Sequence, residues 1–124
     1  MTARSRLFLI LDDEESIRQS IAAYMEDEGY IVFQATSGEQ ALEIIRNHPI
    51  EEAVVDIRLP GMDGNTFMIE AKKILPRIKF VVHTGSADYV PPDAVKALGI
   101  TSSRVIIKPA SDLKLLRDGL KDQY

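Results

Sequence analysis

Three aspartates, a threonine and a lysine occupy positions from which they could act on one phosphoryl group. Asp12 and Asp13 directly follow one apolar run, and Asp56, Thr84 and Lys108 end or follow three others. Carboxylates that share a site repel one another and need a counterion to remain ionised. A hard divalent cation meets this need, because Mg²⁺ is held by one or two carboxylates together with a phosphate. The set therefore predicts a Mg²⁺ (or Mn²⁺) site at which a carboxylate attacks phosphorus and forms an acyl phosphate.

Phosphoryl transfer spreads negative charge over three equatorial oxygens, and catalysis consists mainly of positioning and neutralising that charge. The sequence offers a partner for each oxygen: the cation, the Lys108 ammonium, and the Thr84 hydroxyl with a nearby backbone N–H. Each residue alone has a simpler explanation. An acidic run complements a helix dipole, an aspartate before a Pro-Gly pair suits a turn, and Thr84 or Lys108 could be an ordinary loop residue. Their occurrence together after four different apolar runs favours the chemistry.

Apolar runs alternate with helical periodicity along the whole chain, which defines the elements that must position these residues. Five predicted strands cover residues 7–11, 30–33, 53–57, 80–82 and 105–107. Helices are predicted between them, with the second opened by a capping box at Ser37. The fourth is predicted to begin at Pro91-Pro92 and end near Leu98, and the last to be capped by Ser111.

This (βα)₅ pattern predicts an α/β fold: a doubly wound five-stranded parallel sheet, flavodoxin-like, of order 2-1-3-4-5, with helices on both faces. In such sheets, ligands bind beyond the carboxyl ends of the strands, at the point where the strand order reverses. The first and third strands are then neighbours, so Asp12, Asp13 and Asp56 should meet at one place. His83 lies one residue from the site, and the alternation of a strand should turn it to the other face.

Composition limits the possible functions. With 124 residues the chain has room for one domain, spanning residues 1–124, with no output domain within it. Fifteen basic against nineteen acidic residues give 15 − 19 = −4, which argues against direct binding of nucleic acid. The absence of cysteine excludes disulfides and thiolate chemistry. No apolar run reaches the roughly 20 residues of a membrane span, and no signal peptide is recognisable, so we expect a cytoplasmic protein.

The sequence resembles the response-regulator receiver domains of two-component signalling. The resemblance extends from about Leu7 to Leu120, and its motifs lie at residues 9–15, 54–64, 82–85 and 106–109. It implies that Asp56 is the phosphoacceptor. Asp13 would be a direct Mg²⁺ ligand and Asp12 its partner, directly or through a water, and Asp56 and the backbone carbonyl of Arg58 would complete the set.

The same resemblance assigns the remaining roles. Thr84 would be the switch hydroxyl and Lys108 the lysine that pairs with the phosphate. A sensor histidine kinase or a histidine phosphotransfer protein would donate the phosphoryl group. The change in conformation would then act on a downstream protein partner or on an output domain at the C-terminal side. The chain would assist its own phosphorylation and dephosphorylation without being an enzyme that acts on other substrates.

Two features depart from the family pattern. Val105 stands where the family usually has a tyrosine or phenylalanine on the fifth strand, and Pro91-Pro92 interrupts the fourth helix. Valine is small and stiff about χ1, so it cannot swing as a large ring does. We therefore expect residues 86–97, which contain Tyr89, to carry the conformational change.

Three other functions fit the sequence less well. A Mg²⁺-dependent aspartyl-phosphate phosphatase of the haloacid-dehalogenase type needs a second aspartate two residues after the nucleophile, where this chain has Arg58. A flavin-binding module would need a phosphate loop rich in Ser, Thr or Gly where residues 12–15 are all acidic. A degenerate receiver that only binds partners is disfavoured by the complete set of three aspartates, Thr84 and Lys108.

Overall fold

The computed structural model describes residues 6–120, which form five strands and five α-helices around one sheet. In chain order the elements are β1 (Leu7–Leu11), α1 (Glu15–Asp27), β2 (Ile31–Ala35), α2 (Gly38–Asn47), β3 (Glu52–Val55), α3 (Gly64–Ile74), β4 (Lys79–Thr84), α4 (Asp93–Lys96), a 3₁₀ turn (Ser102–Arg104), β5 (Val105–Ile107) and α5 (Lys114–Asp118). The sheet is parallel throughout, with strand order β2-β1-β3-β4-β5. The predicted fold class and strand order are confirmed.

Each face of the sheet carries its own apolar core, because the strands are buried on both sides and alternate their side chains. One core holds Leu9, Val55 and Val82 against side chains of α2, α3 and α4. The other holds Ile10 and Val81 against α1 and α5. No helix among residues 6–120 is long and apolar enough to span a membrane.

The boundaries of two strands differ from the prediction in a way that matters for the site. The third strand ends at Val55, so Asp56 and Ile57 lie just beyond the hydrogen-bonded ladder. The fourth strand continues through Thr84, which pairs with Ile107 of β5. Thr84 is thus held by the sheet, whereas Asp56 stands at the open end of its strand.

The last two helices are shorter than predicted. The α4 helix begins only at Asp93, after Pro92 as its N-cap, and ends at Lys96. The predicted Ser111 cap is wrong: α5 begins at Lys114, and the side chain that accepts its backbone N–H is that of Asp112, at 2.9 Å. The capping box of α2 is present, since Ser37 Oγ accepts from the backbone N–H of Gln40 at 3.1 Å.

Gly64 fixes the start of α3 against the end of β3. Its backbone N–H donates to the carbonyl of Ile57 at 2.9 Å. A Cβ at this position would lie only 2.2 Å from the carbonyl oxygen of Asp56, which is backbone and cannot turn away. The absence of a side chain at Gly64 is therefore what lets α3 approach the strand end that carries Asp56.

We expect Gly64→Ala to lower the free energy of unfolding by about 1–3 kcal/mol, as overpacking does in a rigid environment. Gly85→Ala is the matched control, because a Cβ at that loop position meets nothing within 4 Å, and its effect should stay within about 0.5 kcal/mol. Urea denaturation followed by circular dichroism measures both variants. Equal stability of the two variants would contradict the close approach described here.

Candidate functional site

The three aspartates meet at the carboxyl edge of the sheet, as the strand order requires. The backbone N–H of Asp12 bonds to the carbonyl of Ala35 at 3.2 Å, and that of Asp56 to the carbonyl of Leu11 at 2.9 Å. These bonds continue the parallel ladder by one residue and hold the two carboxylates at adjacent strand ends. One oxygen from each of Asp12, Asp13 and Asp56 lies within 4.8 Å of the others. Asp12 and Asp56 are buried, and Asp13 is exposed.

Lys108 brings the positive charge of the site from the end of β5. Its Nζ lies 2.8 Å from Asp12 Oδ2, 3.1 Å from Asp56 Oδ2 and 3.4 Å from Glu14 Oε1. Its backbone N–H donates to the carbonyl of Thr84 at 2.7 Å, which fixes this residue beside β4. The ammonium thus bridges the ends of β1 and β3, although β5 lies two strands from β3 and three from β1.

Burial and the interaction between Asp56 and Lys108 act in opposite directions on the pKa of each group. Burial raises the pKa of Asp56 above its ordinary value, although the hydrogen bond and charge of Lys108 act in the opposite direction. For Lys108, burial alone would lower the pKa, but the bonds to Asp12 and Asp56 outweigh it and the pKa is raised. Lys108 therefore remains charged at neutral pH and is the group that favours the ionised form of Asp56.

Short local hydrogen bonds orient the carboxylates. Asp12 Oδ1 accepts from the backbone N–H of Glu14 at 2.9 Å, and Asp56 Oδ1 accepts from the N–H of Ile57 at 2.8 Å. In each case one carboxylate oxygen is held by the backbone while the other faces Lys108. Arg18 of α1 donates to the carbonyl oxygen of Asp12 at 2.9 Å and so ties the acidic loop to the helix that follows it.

The site opens to solvent through a cavity of about 300 Å³. It is lined by the acidic cluster, the lysine and the loop that follows β4, namely Asp13, Glu14, Asp56, Arg58, Thr84, Gly85, Ser86 and Lys108. Thr84 is 1% exposed, and its Oγ1 accepts from the backbone N–H of Ser86 at 3.2 Å. A group of phosphoryl size that enters this cavity lies beside Asp56, Lys108 and Thr84.

The oxygen-only donor set fits a hard divalent cation. The three carboxylates lie close together. Among the described residues, Lys108 is the one cation that forms an ion pair with Asp12 or Asp56. Mg²⁺ accepts such ligands and keeps several of its waters. The exposed position of Asp13 leaves room for those waters.

His83 points away from the site, as predicted, and its side chain is buried on the other face of the sheet. It lines a second cavity of about 240 Å³ together with α1 side chains and the segment after β5. The residue is 3% exposed, and neither ring nitrogen has a hydrogen-bond partner within the described part of the chain. Burial, and then the charge of Lys108, lowers its pKa.

Sequence reasoning also missed two acidic residues. Glu14 reaches Lys108 from the exposed side, which its position beside two aspartates could have indicated. Glu52 is a buried charge on β3, paired with Arg6 at 3.5 Å. It adds to the effect of burial that raises the pKa of Tyr30 to about 12. Its place beside Glu51, just before an apolar run, gave no sign of this partner.

Comparison with known proteins identifies the family. The family described as response regulator receiver domain matches residues 8–118. The chain belongs to this family. The predicted family is therefore confirmed, and with it the place of this receiver domain in two-component signal transduction.

Relatives of known sequence include both longer proteins and single domains. The receiver domain is 34% identical over 110 residues to the response regulator GtcR of Aneurinibacillus migulanus, covering 89% of this chain and 44% of that protein. The chain thus spans less than half the length of this relative. It is 32% identical to sporulation initiation phosphotransferase F of Bacillus subtilis, covering 91% of this chain and 89% of the relative.

Solved structures show the same fold. A CheY-like response regulator receiver domain protein from Methanospirillum hungatei superposes with a TM-score of 0.79 at 28% identity, over 97% of both chains. The shared topology agrees with the sheet order and with the placement of the acidic cluster at its carboxyl edge.

We expect His83 to make the stability of the receiver domain depend on pH. In the folded state, the pKa of His83 lies below its ordinary value of 6.5, which applies to the unfolded chain. Between these two pKa values the unfolded state binds more protons, so stability falls as the pH drops below about 6.5. In His83→Leu this part of the loss should vanish, and the free energy of unfolding at pH 7 should rise by about 1 kcal/mol because two unpaired polar atoms leave the core.

Urea denaturation of both proteins between pH 5 and pH 7.5 measures this effect. His48→Gln is the control, because His48 is exposed, and its profile should match that of the wild type. A His83→Leu profile parallel to the wild-type profile would show that His83 does not carry the pH dependence.

Proposed function

We propose that the chain is a phosphorylation-dependent signalling switch that accepts a phosphoryl group on Asp56. The observation that carries the proposal is the contact between Lys108 Nζ and Asp56 Oδ2 at 3.1 Å, inside a cavity that Thr84 also lines. A buried carboxylate beside a fixed ammonium is a nucleophile with the neutralising charge already in place. Asp56 is therefore proposed as the phosphoacceptor.

Asp12, Asp13 and Asp56, with the backbone carbonyl of Arg58, would hold Mg²⁺ (or Mn²⁺). The ion supplies charge neutralisation between the carboxylates and an incoming phosphoryl oxygen. The convergence of the three carboxylates supports this assignment. Lys108 cannot neutralise all of them alone, because it also faces Glu14.

The transfer itself needs few protein groups. An oxygen of Asp56 forms a bond to phosphorus while the bond between phosphorus and a histidine nitrogen of the donor breaks, and the pair of electrons stays with that nitrogen. Lys108 holds Asp56 ionised beforehand and pairs with a phosphoryl oxygen afterwards. Thr84 donates its hydroxyl proton in a hydrogen bond to another phosphoryl oxygen, which requires its side chain to turn toward the cavity.

The phosphoryl donor would be a sensor histidine kinase or a histidine phosphotransfer protein, as the family assignment suggests. Residues 6–120 form one unit around one sheet, and we propose that residues 1–124 belong to a single receiver domain, with no output domain among them. The signal would then pass to a separate protein or to a domain beyond this one. The net charge of −4 supports a protein partner over nucleic acid.

The alternative of a Mg²⁺-dependent aspartyl-phosphate phosphatase has less support. Its acid/base residue would have to stand two positions after Asp56, where Arg58 lines the cavity with an exposed side chain. An arginine remains protonated and cannot exchange a proton with a leaving group.

Asp56 is expected to be the only residue that becomes phosphorylated, and only when Mg²⁺ or Mn²⁺ is present. Without the cation, the carboxylates repel an anionic donor. Intact-mass spectrometry after incubation with a small phosphodonor should show one added phosphoryl group in the wild type. Asp56→Asn, or the wild type in excess EDTA, should show none. Labelling of Asp56→Asn would overturn the assignment.

Lys108→Ala and Thr84→Ala should separate phosphorylation from the response to it. Lys108→Ala loses the only ammonium within 3.5 Å of Asp56 among the described residues, so its phosphorylation should slow by at least tenfold, about 1.4 kcal/mol. Thr84→Ala should still become phosphorylated, but its NMR spectrum should change less than that of the wild type. A wild-type spectral response in phosphorylated Thr84→Ala would exclude the switch role of the hydroxyl.

A further inference from the structure

A hydrogen bond between Tyr89 and Asn65 closes the loop that follows β4 onto the start of α3. Tyr89 Oη donates to Asn65 Oδ1 at 2.6 Å, and both residues are half-buried. Burial, with a smaller contribution from Asp63, raises the pKa of Tyr89 to about 12, so the hydroxyl keeps its proton at neutral pH. We call this bond the latch.

Tyr89, on one side of the latch, is connected to Thr84 by hydrogen bonds. The hydroxyl oxygen of Thr84 accepts from the backbone N–H of Ser86 at 3.2 Å, and the carbonyl of Ser86 accepts from the N–H of Tyr89 at 3.1 Å. The position of Tyr89 is therefore linked to the orientation of the Thr84 side chain by two consecutive hydrogen bonds.

Asn65, on the other side of the latch, is connected to Asp56. Asn65 directly follows Gly64, whose N–H donates to the carbonyl of Ile57 at 2.9 Å. The N–H of Ile57 in turn donates to Asp56 Oδ1 at 2.8 Å. The latch thus joins two hydrogen-bonded chains that both begin at the candidate phosphorylation site.

We propose that Tyr89 and Asn65 are positioning residues that hold the loop after β4, and with it the Thr84 hydroxyl, in the unphosphorylated arrangement. This inference rests on the proposed function of Asp56. When Thr84 turns toward a phosphoryl oxygen, the N–H of Ser86 loses its acceptor and the turn from Ser86 to Tyr89 loses its support. The latch opposes this movement.

The packing of Tyr89 explains why this residue can take such a role. Its ring lies against the same apolar core as Val105, on the face of the sheet that carries α2, α3 and α4. Val105 offers no large ring and no hydroxyl there. The loop itself contains no regular helix before Asp93, so few backbone hydrogen bonds resist its rearrangement.

Coupling between two sites is reciprocal, so removal of the latch should strengthen the binding of a phosphoryl mimic. The net contribution of one hydrogen bond corresponds to an affinity change of about two- to tenfold. Beryllofluoride with Mg²⁺ serves as the probe, titrated against the wild type, Tyr89→Phe, Asn65→Ala and the double variant and followed by NMR. Tyr89→Phe keeps the ring and its packing and removes only the hydroxyl.

Each single variant should bind beryllofluoride about two- to tenfold more tightly than the wild type, and the double variant no more tightly than either. Tyr24→Phe is the matched control, because Tyr24 packs with α1 against the other core, and its affinity should be unchanged. Hydrogen exchange of residues 86–90 in the absence of the probe should be faster in Tyr89→Phe than in the wild type. A purely structural role would not make binding tighter.

The outcomes separate the two proposals. If the wild type fails to bind beryllofluoride with Mg²⁺ while remaining folded, the proposed function is wrong. If the wild type binds it and both single variants have wild-type affinity, or if their effects simply add in the double variant, the latch is wrong and the proposed function stands.

Discussion

The arrangement of the site depends on one ammonium group placed between two buried carboxylates. Asp12 and Asp56 are 1% and 5% exposed, and ionised groups cannot be buried together without a partner that offsets the loss of water. Lys108 is that partner for both of them. Removing it would leave two uncompensated charges, which costs far more than the net gain that the ion pairs contribute. The position of β5 beside β4 and the loop after it are therefore as important to the site as the aspartates.

The same charges leave the site negative overall. Asp12, Asp13, Glu14 and Asp56 lie around a single ammonium, so a divalent cation is attracted before any phosphoryl group can approach. Burial raises the pKa of Asp56, and the hydrogen bond and charge of Lys108 oppose that rise.

The sequence was sufficient to predict the fold and the acidic cluster, because both follow from a rule of parallel sheets. Residues that end different strands must meet at one edge, and the strand order then decides that Asp12 lies beside Asp56. No such rule predicts the hydrogen bond between Tyr89 and Asn65, because a contact between a loop and a helix start 24 residues away has no periodic signature. The ion pair of Glu52 could not be predicted for another reason: its partner Arg6 precedes β1, and only the pairing of β1 with β3 brings the two residues together.

Two adjacent residues of β4, His83 and Thr84, lie toward opposite faces of the sheet. Thr84 turns toward the candidate site and is linked through Ser86 to Tyr89, which packs on the face of α2, α3 and α4. His83 turns the other way, into the cavity beside α1. Because side chains alternate along a strand, the hydrogen bonds that connect Thr84 to Tyr89 lie on one face of the sheet. The His83 ring, whose nitrogens have no hydrogen-bond partner among the described residues, lies on the other. On the proposed function, a signal that starts at Thr84 would emerge on the side of α3 and α4.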